Sequence, residues 1–157
     1  MAFYTFALMP SLFNSADSQA ILQRLERVTP SSQRQWGRMT VAQMLKHCQQ
    51  PLRVAVGELQ LKRGLMGVLF GKMAKKKLLD PKPWAQGLPT APQFVVKDHP
   101  VFATEKEKLT TMVKRFSDGG PNGIANTLHP FFGPMTVEEW DQLQWRHLDH
   151  HLRQFSA

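Results

Sequence analysis

The sequence predicts an all-α protein, a four-helix bundle with one long irregular crossover between its second and third helices. Apolar residues recur at helical spacing in four main segments, capping signals mark helix starts, and no segment shows the alternation of a β-strand. The 157 residues suffice for one domain with a sizeable core. We therefore expect a single domain over residues 1–157, with residues 1–11 as an irregular N-terminal extension.

The first two helices each combine an apolar stripe with a capping signal. Helix one is predicted over residues 16–28, with Asn14 or Ser15 as its N-cap. Helix two begins after Thr40, because Thr40 and Gln43 form the pattern of a capping box.

The middle of the chain is rich in helix breakers. Pro51 lies within the apolar stripe of helix two, so we expect a kink or a break there, although residues 52–59 can continue helically. A short helix is predicted over residues 65–77, followed by a proline-rich irregular crossover. The third main helix is predicted over residues 100–116, where a glycine-rich segment ends it.

The composition excludes several classes of protein. With 42% hydrophobic and 20% charged residues, the chain is typical of a globular domain rather than a disordered one. The net charge of +8 suggests nucleic acid, but the basic run Lys72–Lys77 is short and no stacking aromatics or nucleic-acid-binding motif accompany it. We interpret the run as a solvated basic segment and expect no nucleic-acid partner.

The cellular environment is predicted from what the sequence lacks. No apolar run is long enough to span a bilayer, so we expect no membrane partner. The first ten residues are apolar but have neither the basic region nor the cleavage site of a signal peptide. The single cysteine, Cys48, excludes an internal disulfide and suits a reducing compartment. These features together predict a cytoplasmic protein.

The last helix carries the most informative residues of the chain. It begins after Thr136, which forms a second capping-box pattern with Glu139. His147 and His151 are four residues apart on its apolar stripe, and two imidazoles at that spacing can bind one metal ion. His47, at the buried face of helix two, can supply a third ligand from a facing helix. The alternative, neutral imidazoles bonded to nearby carbonyls or side chains, stays open at this point.

The remaining histidines and the cysteine are given structural roles. His150 points about 100° away from the metal-binding pair, which makes it a residue of the rim. His99 and His129 each precede a proline in a loop, so we interpret both as structural. Cys48 is the neighbour of His47, but adjacent helical side chains diverge too far to form a Cys-His nucleophile. We therefore expect Cys48 to be a small buried apolar residue.

Three neutral imidazoles would bind Zn²⁺, Ni²⁺ or Fe²⁺ and leave a position open for a small-molecule substrate. The metal would lower the pKa of a bound water or thiol, which is then the proposed nucleophile, because no carboxylate lies on the ligand face. Gln43 and Gln144 each lie about one turn before a candidate ligand and are candidate contacts to ligand or substrate.

A second hypothesis is a non-catalytic helical module that binds a small hydrophobic ligand or a partner chain. Under this hypothesis Phe131, Phe132 and Trp84 are exposed apolar side chains that form the surface of a homodimer.

A set of motifs extends over nearly the whole chain beyond the first eleven residues: Leu12–Asn14, Gln35–Thr40, Gln43–Cys48, His129–Gly133, Glu139–Trp140 and His147–Phe155. In these motifs the chain resembles the DinB/YfiT-like superfamily of metal-dependent enzymes, in a branch known mostly as a domain of unknown function.

This resemblance implies a bundle in up-down-down-up order and a metal site made of His47, His147 and His151. Many members follow the last ligand with Arg-Gly-Gln, whereas here Leu152-Arg153-Gln154 follows, so Gln154 is a further candidate contact in a loosened register. Relatives include transferases and isomerases that use bacillithiol, mycothiol or glutathione. The resemblance therefore implies a low-molecular-weight thiol as a partner, in an S-transferase, isomerase or hydrolase reaction.

Overall fold

The computed structural model describes residues 9–157 as a mostly helical protein. The apolar first eight residues, on which the signal-peptide argument and most of the expected N-terminal extension rest, lie outside the described part. The described elements are the helices α1 (Ser15–Arg27), α2 (Val41–Ala55), α3 (Leu65–Leu78), α4 (Phe102–Gly119) and α5 (Val137–Gln154), and the short strands β1 (Leu128–His129) and β2 (Gly133–Pro134).

Four of the helices pack around the core in a closed ring, in which α1 and α2 each contact both α4 and α5. The apolar stripes of these helices meet inside the ring, where Ile21, Leu45, Leu109 and Trp140 have almost no exposed surface. No described helix combines the length and hydropathy needed to cross a membrane. The predicted all-α class agrees with this arrangement.

The predicted starts of α1, α2 and α5 are confirmed by their caps, whereas α4 begins at Phe102 without a side-chain cap and continues to Gly119, beyond the predicted end at residue 116. The Asn14 side chain accepts hydrogen bonds from the second and third residues after it, at 2.9 and 3.1 Å. Thr40 and Gln43 form a reciprocal capping box at 3.2 and 3.0 Å, as do Thr136 and Glu139 at 3.1 and 3.0 Å. These bonds satisfy backbone N–H groups that a helix end leaves unpaired.

The break in α2 at Pro51 is not observed, because the helix continues to Ala55. Proline removes one helical hydrogen bond, but the residues that follow it are in the core. Leu52, Val54 and Ala55 are completely buried, so packing offsets the missing bond. The Pro51 carbonyl accepts a bond from Gln144 Nε2 of α5 at 3.3 Å, which ties the two helices together at this point.

The crossover between α2 and α4 spans residues 56–101 and contains α3 and a 3₁₀ turn at Pro92–Phe94. The predicted short helix is thus confirmed, with one additional residue at its end. Before α5, strands β1 and β2 pair antiparallel. This hairpin was not predicted, because strands of two residues are too short to show alternation.

Helix α3 packs against the hairpin through two glycines, Gly67 and Gly71, which are its buried residues. A Cβ atom at Gly67 would lie 2.8 Å from the Phe131 carbonyl oxygen, and one at Gly71 would lie closer still to the same oxygen. Both distances are shorter than a van der Waals contact allows, so the contact between α3 and the hairpin requires glycine at both positions.

We expect Gly71→Ala to destabilise the packing of α3 against the hairpin by about 1–3 kcal/mol, because the added methyl group overlaps a backbone oxygen. Hydrogen exchange measures this effect, and the backbone amides of α3 should exchange faster in the variant than in the wild type. Gly119→Ala is the matched control, since Gly119 is helical and nothing lies within 4 Å of its added Cβ. If the amides of α3 exchanged equally slowly in Gly71→Ala and in the wild type, the close packing of Gly71 against the hairpin would be contradicted.

Candidate metal centre

Three buried histidines meet between α2 and α5, and they are the three that the sequence singled out: His47, His147 and His151. Their exposed fractions are 4%, 8% and 8%. The ring centroids form a nearly equilateral triangle with sides of 4.8, 4.7 and 4.7 Å. One ring nitrogen from each residue lies within 4.8 Å of the other two, so the three side chains can share one metal ion.

The tautomer of His47 is fixed by the crossover. His47 Nδ1 lies 2.9 Å from the carbonyl oxygen of Phe94. A carbonyl oxygen only accepts, so Nδ1 carries the proton and donates it. The Nε2 atom of His47 therefore presents its lone pair to the other two imidazoles, as a metal ligand must.

The orientation of His151 is set by Gln154 at the end of α5. Gln154 Nε2 donates to the carbonyl oxygen of Trp36 at 2.8 Å, which directs Gln154 Oε1 to His151 Nδ1, also at 2.8 Å. His151 thus donates from Nδ1 and has its Nε2 lone pair free. Gly37 makes this contact possible, because it has a positive φ of 79° and its added Cβ would lie 2.6 Å from Gln154 Nε2.

The third imidazole, His147, has incompletely satisfied nitrogens. Its Nε2 lies 2.9 Å from His47 Nε2, and its Nδ1 is buried without a hydrogen-bond partner among the described residues. Because His47 Nε2 only accepts, His147 Nε2 must donate to it in the metal-free protein. His147 Nε2 would become a ligand only in the other tautomer, with the proton on Nδ1. In that tautomer the three neutral imidazoles would form a donor set that fits a divalent transition metal.

Burial keeps these imidazoles uncharged. Desolvation lowers the pKa of His47, and it lowers the pKa of His147 well below the ordinary value, with the neighbouring histidines acting in the same direction. Burial, together with His47, lowers the pKa of His151 to about 3. All three side chains are therefore neutral at neutral pH, which is the form that binds metals.

The three candidate glutamines lie in different places. Gln43 is held by its capping box and by a 3.0 Å bond to the Asp98 carbonyl, so its side chain is engaged at the start of α2. Gln144 is completely buried and donates to Pro51, while its Oε1 has no partner within the described region. Gln154 alone of the three bonds to a candidate ligand. Their roles toward a substrate stay predictions.

The cysteine and the two loop histidines do not belong to the three-histidine group. Cys48 is buried, and burial raises the pKa of its thiol, so it is a packing residue as predicted. His129 Nδ1 accepts bonds from the backbone N–H groups of Phe131 and Phe132 at 3.0 and 3.1 Å, and burial lowers the pKa of His129 to about 3. His99 is exposed. Neither His99 nor His129 belongs to the group of three.

The carboxylate closest in sequence to the ligands is occupied elsewhere. Asp149 forms ion pairs with Arg24 at 2.7 Å and with Arg153 at 3.0 Å. This agrees with the expectation that Asp149 lies off the ligand face and is not available as a general base.

A cavity of about 410 Å³ lies on the side of the centre formed by the C-terminal part of α5. Its lining includes Trp36, Trp84 and His150. The Trp84 ring lies 6.1 Å from the His147 ring, and the His150 ring lies 5.1 Å from the His151 ring, both measured between centroids. His150, expected at the rim, thus forms with Trp84 the wall between this cavity and the three imidazoles.

A cationic side chain lines the same cavity. Arg146 is buried, its guanidinium lies 5.8 Å from the centroid of Trp84, and it donates to the Lys82 carbonyl. Its Nε has no hydrogen-bond partner in the described part of the chain. The cavity therefore combines flat apolar walls with positive charge, a combination suited to an anionic ligand.

Sequence reasoning missed two contributors to the site and misplaced another. Phe94 acts through its backbone carbonyl, which no sequence pattern reveals, and Arg146 had no signal beyond its neighbour His147. Trp84 was expected on an exposed dimer surface with Phe131 and Phe132, but all three are only partly exposed. The expectation of an exposed surface is wrong for these residues, because Trp84 and Phe132 pack against the core.

The fold and the site together define a helical protein with a buried three-histidine centre. The chain belongs to the family described as DUF1569, Protein of unknown function, whose family model matches residues 11–157. No curated protein and no solved structure matches the chain. The expectation of a family of unknown function is thus confirmed.

We expect the metal-free protein to lose stability in acid. The folded-state pKa values of His129 and His151 are about 3, below the unfolded value of about 6.5, so the unfolded chain binds more protons between these limits. The stabilisation that comes from keeping these two histidines neutral is therefore fully present above about pH 6.5 and is lost as the pH falls toward 3. Between pH 7 and pH 5, each of the two should lower the free energy of unfolding by about 2 kcal/mol.

Urea unfolding of chelator-treated protein at pH 7 and pH 5 measures this loss. The His151→Leu variant has no imidazole to protonate at this position. Its free energy of unfolding should therefore fall less between the two pH values than that of the wild type. His99→Ala, at an exposed position, should behave as the wild type does. The same pH dependence in His151→Leu and in the wild type would contradict the assignment.

Proposed function

We propose that the protein is a metal-dependent enzyme of the DinB/YfiT-like superfamily, with its four core helices in up-down-down-up order. The observation that carries this proposal is the convergence of His47, His147 and His151, each neutral and buried, from two facing helices. The shared position of the three histidines in the superfamily motif supports it further. We assign them as the metal ligands.

The chain's own residues would prepare this site for a metal. Phe94 and Gln154 hold the Nδ1 protons of His47 and His151, so that both Nε2 lone pairs are available before binding. A divalent Zn, Ni or Fe ion held there would supply the Lewis acidity that activates a water or a thiol. The low exposure of the three rings limits access of bulk water to the site.

The substrate that we propose is a low-molecular-weight thiol that carries a carboxylate. Arg146 in the cavity wall supplies a buried positive charge with an unpaired Nε, whereas Arg153 in the same lining is paired with Asp149. Trp84 and Trp36 supply flat apolar surface for the rest of the molecule. Trp84 and His150 would then separate the bound ligand from the three histidines until a side chain moves.

We expect about one equivalent of transition metal in protein purified without a histidine tag, measured by elemental analysis. His47→Ala and His147→Ala should each reduce this to background, because two imidazoles do not complete the donor set. Gln154→Leu should weaken metal binding by about 10–100-fold, since the His151 ring loses its orienting acceptor.

His99→Ala is the matched control and should retain full metal content, because His99 is exposed and outside the group of three. Less than about a tenth of an equivalent in the wild type, even after reconstitution with Zn, Ni or Fe, would overturn the metal centre.

We expect the metal-replete protein to turn over at least one substrate in a screen of thiol-transfer and hydrolysis reactions. His47→Ala should reduce the rate by at least about 100-fold, while His99→Ala leaves it unchanged. Full metal occupancy without turnover of any substrate would favour the alternative, a non-catalytic module that binds a small hydrophobic ligand in the tryptophan-lined cavity.

A further inference from the structure

The outward face of α3 is a surface feature that the metal centre does not explain. It presents a contiguous group of large apolar side chains with the exposed fractions Leu65 73%, Met66 60%, Val68 57%, Leu69 63%, Phe70 44% and Met73 69%. Single exposed apolar residues are ordinary on protein surfaces, but a contiguous group on one helix marks an interaction surface.

The orientation of α3 is fixed by its other face, so the apolar group cannot turn toward the core. Gly67 and Gly71 lie against the Phe131 backbone, and Arg63 donates to the Gly67 carbonyl at 2.9 Å. At the far end, Trp84 Nε1 donates to the Leu78 carbonyl at 2.8 Å. The helix is thus held along its length with its apolar side outward.

Positive charge lies on the same outward side of α3 as these apolar side chains. The last turns of α3 contain Lys75, Lys76 and Lys77, and the helix has no acidic residue. Lys75 is paired with Glu139 at 2.9 Å, whereas Lys72 and Lys76 are exposed. Lys72 and Lys76 follow the apolar residues along the outward side, as the helical repeat places residues three and four apart next to each other.

A cavity of about 460 Å³ adjoins the same side of α3, and its lining includes Lys72, Lys75, Lys76, Asp80 and Glu139. The ammonium groups of these lysines are carried on long apolar stems, which can lie along an apolar surface while the charge stays in the polar layer. The apolar face and the lysines therefore form one continuous surface of mixed character.

We propose that α3 attaches the protein to an anionic lipid surface. Its apolar side chains would enter the boundary between headgroups and acyl chains, and Lys72 and Lys76 would contact the lipid phosphates. We expected no membrane partner because the sequence lacks a spanning segment. Attachment at a surface requires only one apolar helical face, and a helix of 14 residues, about 21 Å long, lies along the surface rather than across it.

A second copy of the chain fits this surface less well. In a two-fold dimer the same face meets itself. The outward Lys72 and Lys76 of both copies would then meet at one interface, and of the carboxylates that line this side, Asp80 and Glu139, the second is already paired with Lys75. An anionic lipid surface satisfies both parts of the face at once, because it supplies apolar chains below a layer of negative charge.

The test is sedimentation of the full-length protein with vesicles of mixed phosphatidylcholine and phosphatidylglycerol, and with vesicles of phosphatidylcholine alone. We expect binding to the mixed vesicles that weakens at high salt, and much weaker binding to phosphatidylcholine. The double variants Leu69→Glu/Met73→Glu and Lys72→Glu/Lys76→Glu should each bind the mixed vesicles at least about tenfold more weakly.

Val101→Glu and Lys114→Glu are the matched controls, because both positions are exposed and lie outside α3. Circular dichroism checks that every variant is folded. Failure of the wild type to bind mixed vesicles, or equal binding by the α3 variants and the controls, would overturn the proposal. A stable dimer that Leu69→Glu dissociates, without vesicle binding, would assign the face to a second copy instead and would also overturn it.

Discussion

The burial of three neutral imidazoles between α2 and α5 is the constraint on which the rest of the site depends. A buried polar group is stable only when its hydrogen bonds are satisfied. Phe94 and Gln154 satisfy the Nδ1 atoms of His47 and His151, which leaves the Nε2 atoms of both rings without a proton. Desolvation keeps the rings uncharged. Burial and these two hydrogen bonds together keep the rings of His47 and His151 neutral with free Nε2 lone pairs, the form that binds a metal.

Two capping boxes determine which side chains reach this centre. Because side chains on a helix turn by about 100° per residue, the start of each helix and its apolar stripe together fix where each side chain points. In α2, Thr40 ends the preceding loop, and His47 follows two turns later on the buried side. In α5, Thr136 has the same role and directs the pair His147 and His151 inward. A shift of one residue in either helix would separate the three rings.

The sequence predicted the features that depend on local chemistry and missed those that depend on distant contacts. The helices and their caps follow from periodicity and from residues three apart, so they were predictable almost to their ends. The three-histidine group required both the apolar stripe and the resemblance, since His47 lies 100 residues before His147. The carbonyl of Phe94 could not be found, because it belongs to an irregular crossover. At Pro51 the helix does not break but continues to Ala55, the alternative that the sequence left open, because burial of the following residues outweighs a local rule.

The hairpin before α5 connects the two surfaces on which the proposals rest. On one side its Phe131 backbone receives the glycines of α3. On the other side His129, whose Nδ1 accepts from the Phe131 N–H, lies with its ring 6.2 Å from that of Phe94, the residue that holds His47. A change on the inner face of α3 therefore acts on the hairpin that also packs behind the metal centre. A change on the outward face of α3 meets solvent alone, so lipid attachment and metal binding can be altered independently.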